Sequence, residues 1–265
     1  PTMPRIAREH LPGSLVHLIS SFALGARVMD LPGARAVYLS LAERTLRRSD
    51  WVPLAYALMG SHVHWALIAG RLPPRTFYHP LHTGFALWVN QQRREALFGP
   101  ERRFVGPVFA DRPKTFVVEP EALSRLLAYL HNNPVRAGLV QNPGDADWTS
   151  HRQYCDPARR MPWLAVGWAL EHAGLEDSAS GRATFHEMTL ERSSSDASWF
   201  PTDEELRLVR REAQAHTNAP VEIATPRMTP GRESEESDWI CGLLATPDRP
   251  LRLRWEGPVT QLIEE

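Results

Sequence analysis

The sequence predicts an α+β fold in which an antiparallel sheet is covered by helices on one face. Short segments rich in β-forming residues alternate with longer segments that carry apolar residues at helical spacing. Their order is β-α-β-β-α-β, which is the order of the ferredoxin-like split βαβ arrangement. A mostly helical or irregular C-terminal extension is expected to follow this core.

The first four elements are predicted from the N-terminal part of the chain. Residues 14–23 are rich in β-formers and follow a Pro-Gly turn, so they indicate a strand. Residues 33–49 place apolar side chains at helical spacing and arginines between them, which predicts a helix. Residues 51–60 and 63–69 then predict two strands joined as a hairpin.

The next three elements complete the core. Residues 76–98 carry apolar side chains among polar ones, which suits an amphipathic helix. Residues 104–118 are predicted to be extended. A further helix is expected over residues 119–133, and Pro134 should end it, because proline disfavours the helical conformation in the residue before it.

The pattern weakens towards the C-terminus. A helix is predicted over residues 163–173. Residues 174–198 are polar and rich in serine, which indicates a connection. Residues 202–215 open with a capping box and predict another helix.

Charge is distributed unevenly along the 265 residues. Residues 1–160 hold 20 Arg and Lys against 12 Asp and Glu, a net charge of +8, whereas residues 161–265 hold 10 against 19, a net charge of −9. A basic surplus favours contact with phosphate backbones, although a solvated basic surface without a partner is about as common. We therefore divide the chain into a basic domain at 1–160 and an extension at 161–265.

Other features of the composition restrict the class of protein. No run of eighteen apolar residues is present, and the first ten residues include charged ones. A cytoplasmic location and no membrane partner are therefore expected. Cys155 and Cys241 are too few and too far apart to suggest a disulfide framework or a thiolate metal site. A metal, if present, would then use other ligands.

His62 and His64 lie at the start of a predicted strand. Side chains two apart on a strand face the same way, so two imidazoles at this spacing can converge on one metal ion. The alternative is that one histidine packs in the core and the other is solvated.

Tyr129 and Asn133 are four residues apart on a predicted helix and share one face. They could present a phenol and an amide oxygen to the same point, as a nucleophile and a metal ligand would require. Alternatively, Tyr129 is a core aromatic and Asn133 a residue that ends the helix before proline. His131 should point away from that face, which suits a structural or DNA-facing role better than a metal-binding one.

Four segments taken together resemble the REP-associated tyrosine transposases, single-tyrosine members of the HUH superfamily. The segments occur in the family's order and span residues 4–155: PRIAREHLPGSLVHL, YALMGSHVHWAL, VGPVFADRPKTFVV and YLHNNPVRAGLVQNPGDADWTSHRQY. The string NPVRAG is the most specific of them. The family usually has Pro-Asn before its His-x-His, where this chain has Gly60 and Ser61.

The resemblance implies a metal-dependent nuclease of single-stranded DNA that also performs DNA transposition and recombination. His62 and His64 would bind the divalent metal, Mg²⁺ or Mn²⁺, and Tyr129 would be the nucleophile. Asn133 occupies the position where the family has a polar third ligand. The implied reaction passes through a 5′-phosphotyrosine and leaves a free 3′-hydroxyl, which conserves the phosphodiester energy for resealing.

The resemblance also implies the partner, a short hairpin-forming repeat with an adjacent single strand. Arg112, Lys114 and Arg136 flank the expected site and are candidates for phosphate contacts, although each could equally be a solvated charge. A monomer is favoured over an oligomer.

Three other functions remain open from the sequence. The nearest is a domesticated repeat-DNA-binding protein that no longer transposes. Another is a metal hydrolase that uses His-x-His to hold a water, although the alternating strands and helices of such barrels are absent. The third is an interaction protein whose acidic part, residues 161–265, binds partners.

Overall fold

The computed structural model describes residues 11–98 and 106–195. Four antiparallel strands form one sheet in the order β2-β3-β1-β4. The strands are β1 (Leu15–Ser21), β2 (Val52–Leu58), β3 (His62–Ile68) and β4 (Lys114–Val118). The α+β class and the β-α-β-β-α-β order expected from the sequence are confirmed.

Seven α-helices occur in the described part of the chain. They are α1 (Ala34–Leu46), α2 (Arg75–Phe98), α3 (Leu123–His131), α4 (Asn133–Arg136), α5 (His151–Cys155), α6 (Val166–His172) and α7 (Ala179–Ser195). None of the helices described is long and apolar enough to cross a membrane.

One face of the sheet packs against α1 and α2. Side chains alternate between faces along a strand, and Trp65 of β3 points towards this layer. Its ring lies 6.5 Å from that of Tyr38 in α1 and 5.5 Å from that of Phe77 in α2. Because all three side chains are fully buried, this layer forms the main hydrophobic core.

The opposite face carries α3. His64 alternates with Trp65 and therefore points to this second face, as does His17 of β1. The ring of Tyr129 in α3 lies 5.7 Å from that of His17 and 5.9 Å from that of His64. The histidines are therefore enclosed between the sheet and α3.

The free edge of β2 is closed by the chain around Ser150. The Ser150 backbone N–H donates to the Tyr56 carbonyl at 3.0 Å, and the Leu58 N–H donates to the Trp148 carbonyl at 2.9 Å. The Ser150 hydroxyl oxygen also accepts a hydrogen bond from the Tyr56 N–H at 3.0 Å. These bonds hold the start of α5 next to the sheet.

Residues beyond 160 contribute to the same core. Leu164, Val166 and Leu170 are buried in it, and so is Phe185 of α7. Helix α7 packs against α3 and α5, and α6 packs against β2.

Three details differ from the expectations. The extended segment predicted at 104–118 forms a strand only at Lys114–Val118 among its described residues. Pro134 does not end the helical region: the helix breaks at Asn132, and Pro134 lies in the first turn of α4, where a proline needs no amide hydrogen. The predicted connection at 174–198 contains α7. The helix predicted at 202–215 lies outside the described residues.

Candidate active site

His62 and His64 form the floor of the candidate site on β3. Their side chains share one face of the strand, and their ring centroids are 4.8 Å apart. Both residues are buried. The i, i+2 spacing in a strand therefore places the two imidazoles side by side.

Tyr129 lies above this floor on α3. Its ring is edge-on to that of His64, and the side chain is buried with 5% of its surface exposed. Leu126, Leu127 and Leu130 of the same helix are buried too, so the apolar stripe of α3 fixes the helix against the sheet. This packing determines where the phenol lies.

His17 is a further member of the cluster that the sequence analysis did not identify. It is fully buried on β1, the strand next to β3, and its Nε2 lies 2.9 Å from Nδ1 of His64. The two rings are stacked with centroids 5.2 Å apart. The only signal in the sequence is one polar residue within the apolar run LVHLI of a predicted strand.

Burial keeps these histidines neutral. It lowers the pKa of His17 from 6.5 to about 3, with a smaller contribution from the positive charge of His62. It also holds the pKa of His64 well below 6.5, with smaller contributions from His62 and His17. A neutral imidazole has one unprotonated nitrogen, which is the form that binds a metal.

The hydrogen bonds of both histidines involve Nδ1. His62 Nδ1 lies 3.1 Å from the Ser61 hydroxyl, and His64 Nδ1 lies 2.9 Å from His17 Nε2. When Nδ1 carries the proton and donates in each pair, Nε2 of each ring carries the lone pair. Partners of this kind commonly fix the tautomer of a metal-binding histidine.

Asn133 begins α4, one turn after Tyr129. Its side-chain amide nitrogen, Nδ2, donates to the backbone carbonyl of Tyr129 at 3.1 Å. Its Oδ1 and the Nε2 of His64 are both buried, and neither has a hydrogen-bond partner among the described residues. Buried acceptors without a donor are costly, and two imidazoles with an amide oxygen are groups that could hold a divalent cation.

The three predicted phosphate-binding residues lie at different distances from the cluster. Arg136 is in contact: its guanidinium carbon is 4.8 Å from the centre of the Tyr129 ring. Lys114 begins β4 and pairs with Ile19, which also pairs with His64, so Lys114 lies in the same row across the sheet. Arg112 is exposed ahead of β4, and within the described part of the chain no hydrogen bond joins it to these side chains.

A second cluster of metal-binding residue types lies outside this site. His151, Cys155 and His186 bring one ligand atom each to within 4.8 Å of one another, so they could hold a metal ion. The spacing of Cys155 and Cys241 did not suggest a thiolate site, and this cluster contains Cys155 as its one cysteine. The i, i+4 spacing of His151 and Cys155 was a usable signal, whereas the approach of His186 depends on tertiary packing.

His131 points away from Tyr129, as expected, and towards this second cluster. Its Nε2 lies 2.8 Å from the Ser150 hydroxyl and its Nδ1 lies 3.3 Å from Nδ1 of His151. The residue is fully buried, which indicates a structural role.

Comparison with known proteins finds distant similarity among solved structures. No family model matches the chain, and no curated protein matches it. One solved structure, of a REP-associated tyrosine transposase bound to a REP hairpin, is similar at 13% identity with a TM-score of 0.43. The similarity covers 59% of this chain and 87% of that one.

Proposed function

We propose that the protein is a metal-dependent endonuclease and strand transferase for single-stranded DNA that carries hairpin-forming repeats. The observation that carries the proposal is the contact of the Tyr129 ring with that of His64, on the face of the sheet that also carries His62. A phenol beside a pair of buried imidazoles, with a buried amide oxygen that has no hydrogen-bond partner among the described residues, combines a nucleophile with a cation-binding set.

His62, His64 and Asn133 would hold the cation, either Mg²⁺ or Mn²⁺. When bound, it polarises the scissile phosphate and offsets the negative charge that develops there. His17 holds the His64 ring in place through the 2.9 Å contact. Asn133 is held through its amide nitrogen, so its oxygen is the atom left to face the cation.

Tyr129 would attack the phosphorus with its phenol oxygen. One bond forms between this oxygen and the phosphorus, and the bond from phosphorus to the 3′ oxygen breaks. The phenol proton passes to solvent, and the departing 3′ oxygen takes up a proton to become a hydroxyl. The product is a 5′-phosphotyrosine, from which another 3′-hydroxyl can reseal the strand by the reverse steps.

Positive charge around Tyr129 suits this reaction. Arg136 places its guanidinium over the Tyr129 ring, where it would stabilise negative charge on the phenol oxygen or on a phosphate. Lys114 and Arg112 would contact the DNA backbone further along the face. Because the phenol is only 5% exposed, DNA binding has to open the site before attack.

The proposed nuclease domain is residues 1–160, whose net charge of +8 favours a polyanion. Within the proposed extension at 161–265, α7 packs against α3.

The test is a covalent-adduct assay with the full chain. Labelled single-stranded hairpin DNA from the flanks of the protein's own gene is incubated with Mn²⁺ and separated under denaturing conditions. We expect a band of protein joined to DNA that depends on Mn²⁺ and disappears with a chelator.

His62→Ala and His64→Ala provide the matched variants, since each removes one imidazole from the cation-binding set. We expect both to fold and to lose the adduct. An adduct that forms equally in the chelator, or in both variants, would show that the reaction does not use this cation site.

A further inference from the structure

We propose that His151, Cys155 and His186 form a zinc site separate from the proposed active site, in which the metal joins α5 to α7. His151 and Cys155 are four residues apart and share one face of α5, and His186 approaches from α7. Two imidazoles and a thiolate are ligands that zinc prefers in proteins.

The distances between the ligand atoms match a tetrahedral metal. His151 Nε2 lies 2.9 Å from His186 Nδ1 and 3.5 Å from Cys155 Sγ, and Cys155 Sγ lies 4.0 Å from His186 Nδ1. Tetrahedral zinc with its usual bond lengths separates two nitrogens by about 3.3 Å and a nitrogen from a sulfur by about 3.6 Å. A small movement of His186 therefore suffices to receive the ion.

The hydrogen bonds on the Nδ1 side of the His151 ring can leave its Nε2 with the lone pair that a metal binds. When the Ser150 hydroxyl donates to the Tyr56 carbonyl at 3.4 Å, it accepts from Nε2 of His131 at 2.8 Å, and Nδ1 of that ring is the unprotonated nitrogen.

The next bond in this chain reaches His151. In this arrangement its Nδ1, which lies 3.3 Å from Nδ1 of His131, carries the donated proton, and its Nε2 carries the lone pair. This lone pair faces Cys155 and His186, an arrangement typical of a metal-binding histidine with a fixed tautomer.

The cluster opens into a pocket of about 490 Å³, which gives an ion a route from solvent. Three protein ligands leave one tetrahedral position that a water from this pocket can fill. The site would brace α3 as well, because His131 of that helix contacts both His151 and Phe185 of α7. A stabilising zinc site next to the nuclease core is what the geometry supports.

Cobalt substitution tests the proposal with a readout that does not depend on DNA cleavage. Cobalt bound to a thiolate gives a near-ultraviolet charge-transfer band, which cobalt bound to imidazoles alone does not give. The chain has two cysteines. In Cys241→Ser, any such band must therefore come from Cys155. We expect this variant, at full length, to show the band with one equivalent of Co²⁺ and to lose it when Zn²⁺ is added.

The second variant is Cys241→Ser with His186→Ala, which removes a ligand that is partly exposed. We expect the cobalt affinity of this double variant to be at least tenfold lower than that of Cys241→Ser. Zn²⁺ should raise the melting temperature of Cys241→Ser but not that of the double variant. His172→Ala in the same background is the matched control, because His172 is an exposed histidine on α6, and it should keep the band.

Absence of the thiolate band in Cys241→Ser would overturn the proposal, and so would an unchanged cobalt affinity after His186→Ala. His62→Ala should leave the band intact. Failure of the adduct assay would therefore reject the nuclease function and leave the zinc site standing. Loss of the thiolate band would reject the zinc site and leave the nuclease function standing.

Discussion

The ring of Tyr129 stands edge-on to the ring of His64, with centroids 5.9 Å apart. One side chain comes from α3 and the other from β3, so the contact is a product of tertiary packing. It brings the proposed nucleophile and one of the proposed cation ligands to one point of the sheet.

Tyr129→Phe should abolish the covalent adduct and leave DNA affinity within about twofold. The substitution removes only the attacking oxygen, and the ring still packs against His17 and His64. The adduct is measured on denaturing gels and the affinity by fluorescence anisotropy without metal. If the variant still forms the adduct, Tyr129 is not the nucleophile.

His17→Phe should raise the Mn²⁺ concentration needed for half-maximal cleavage by about 10- to 100-fold, the usual cost of losing such a partner. Phenylalanine fills the space but cannot accept the hydrogen bond from His64 Nδ1. His17→Gln keeps an acceptor and should recover part of the affinity. If both variants and the wild type need the same Mn²⁺ concentration for half-maximal cleavage, His17 is not a positioning residue.

Asn133→Ala and Asn133→Asp should have different effects on the midpoint, which is the Mn²⁺ concentration needed for half-maximal cleavage. Alanine removes the buried Oδ1 and should raise the midpoint, whereas a carboxylate should keep or lower it, since divalent cations favour charged oxygen ligands. An unchanged midpoint in both variants would exclude Asn133 from the cation site and leave water as the third ligand.

Stability should fall as the pH decreases from about 6.5 towards 3. Burial, with a smaller contribution from His79, lowers the pKa of His82 from 6.5 to about 3. In this window the unfolded chain binds a proton that the folded chain does not, so the free energy of unfolding decreases as the pH falls. The stability conferred by the neutral ring is fully present above pH 6.5.

His82→Gln should make this pH dependence shallower, as measured by urea unfolding at several pH values. Glutamine does not titrate and can still reach the Ser20 hydroxyl, which lies 3.1 Å from His82 Nε2. His172→Gln, at an exposed histidine, is the matched control. The explanation fails if the slope between pH 6.5 and pH 3 is the same in wild type and His82→Gln.

A chain that ends at Ser195 should bind single-stranded DNA more tightly than the full chain at low salt. Residues 196–265 hold 8 Arg and 14 Asp and Glu, a net charge of −6, so their removal changes the net charge from −1 to +5. The difference should disappear at high ionic strength, where charges are screened. Equal affinities at low salt would show that the acidic residues do not compete with DNA.

Much of the fold follows from local patterns in the sequence. The strands are short, rich in β-formers and separated by turns, and α1 and α2 carry large apolar residues at helical spacing, so their positions were predictable. Helix α7 was not, because its buried stripe is Gly181, Phe185 and Thr189, of which only Phe185 is large and apolar. Such a stripe becomes visible only when the surface it covers is known.

The candidate site was predictable to the extent that it depends on spacing within one element. His62 with His64, and Tyr129 with Asn133, follow from the periods of a strand and a helix. His17 could not be found in this way, because its contact with His64 depends on the pairing of β1 with β3.

In the proposed reaction Tyr129 becomes joined to the 5′ phosphate of cleaved DNA. Mass spectrometry of the nuclease-trimmed, protease-digested reaction measures this directly. We predict a peptide containing residues 126–136 whose mass is increased by a 5′-linked nucleotide, with fragment ions that place it on Tyr129. A nucleotide on another residue, or cleaved DNA with no modified peptide, would contradict the account.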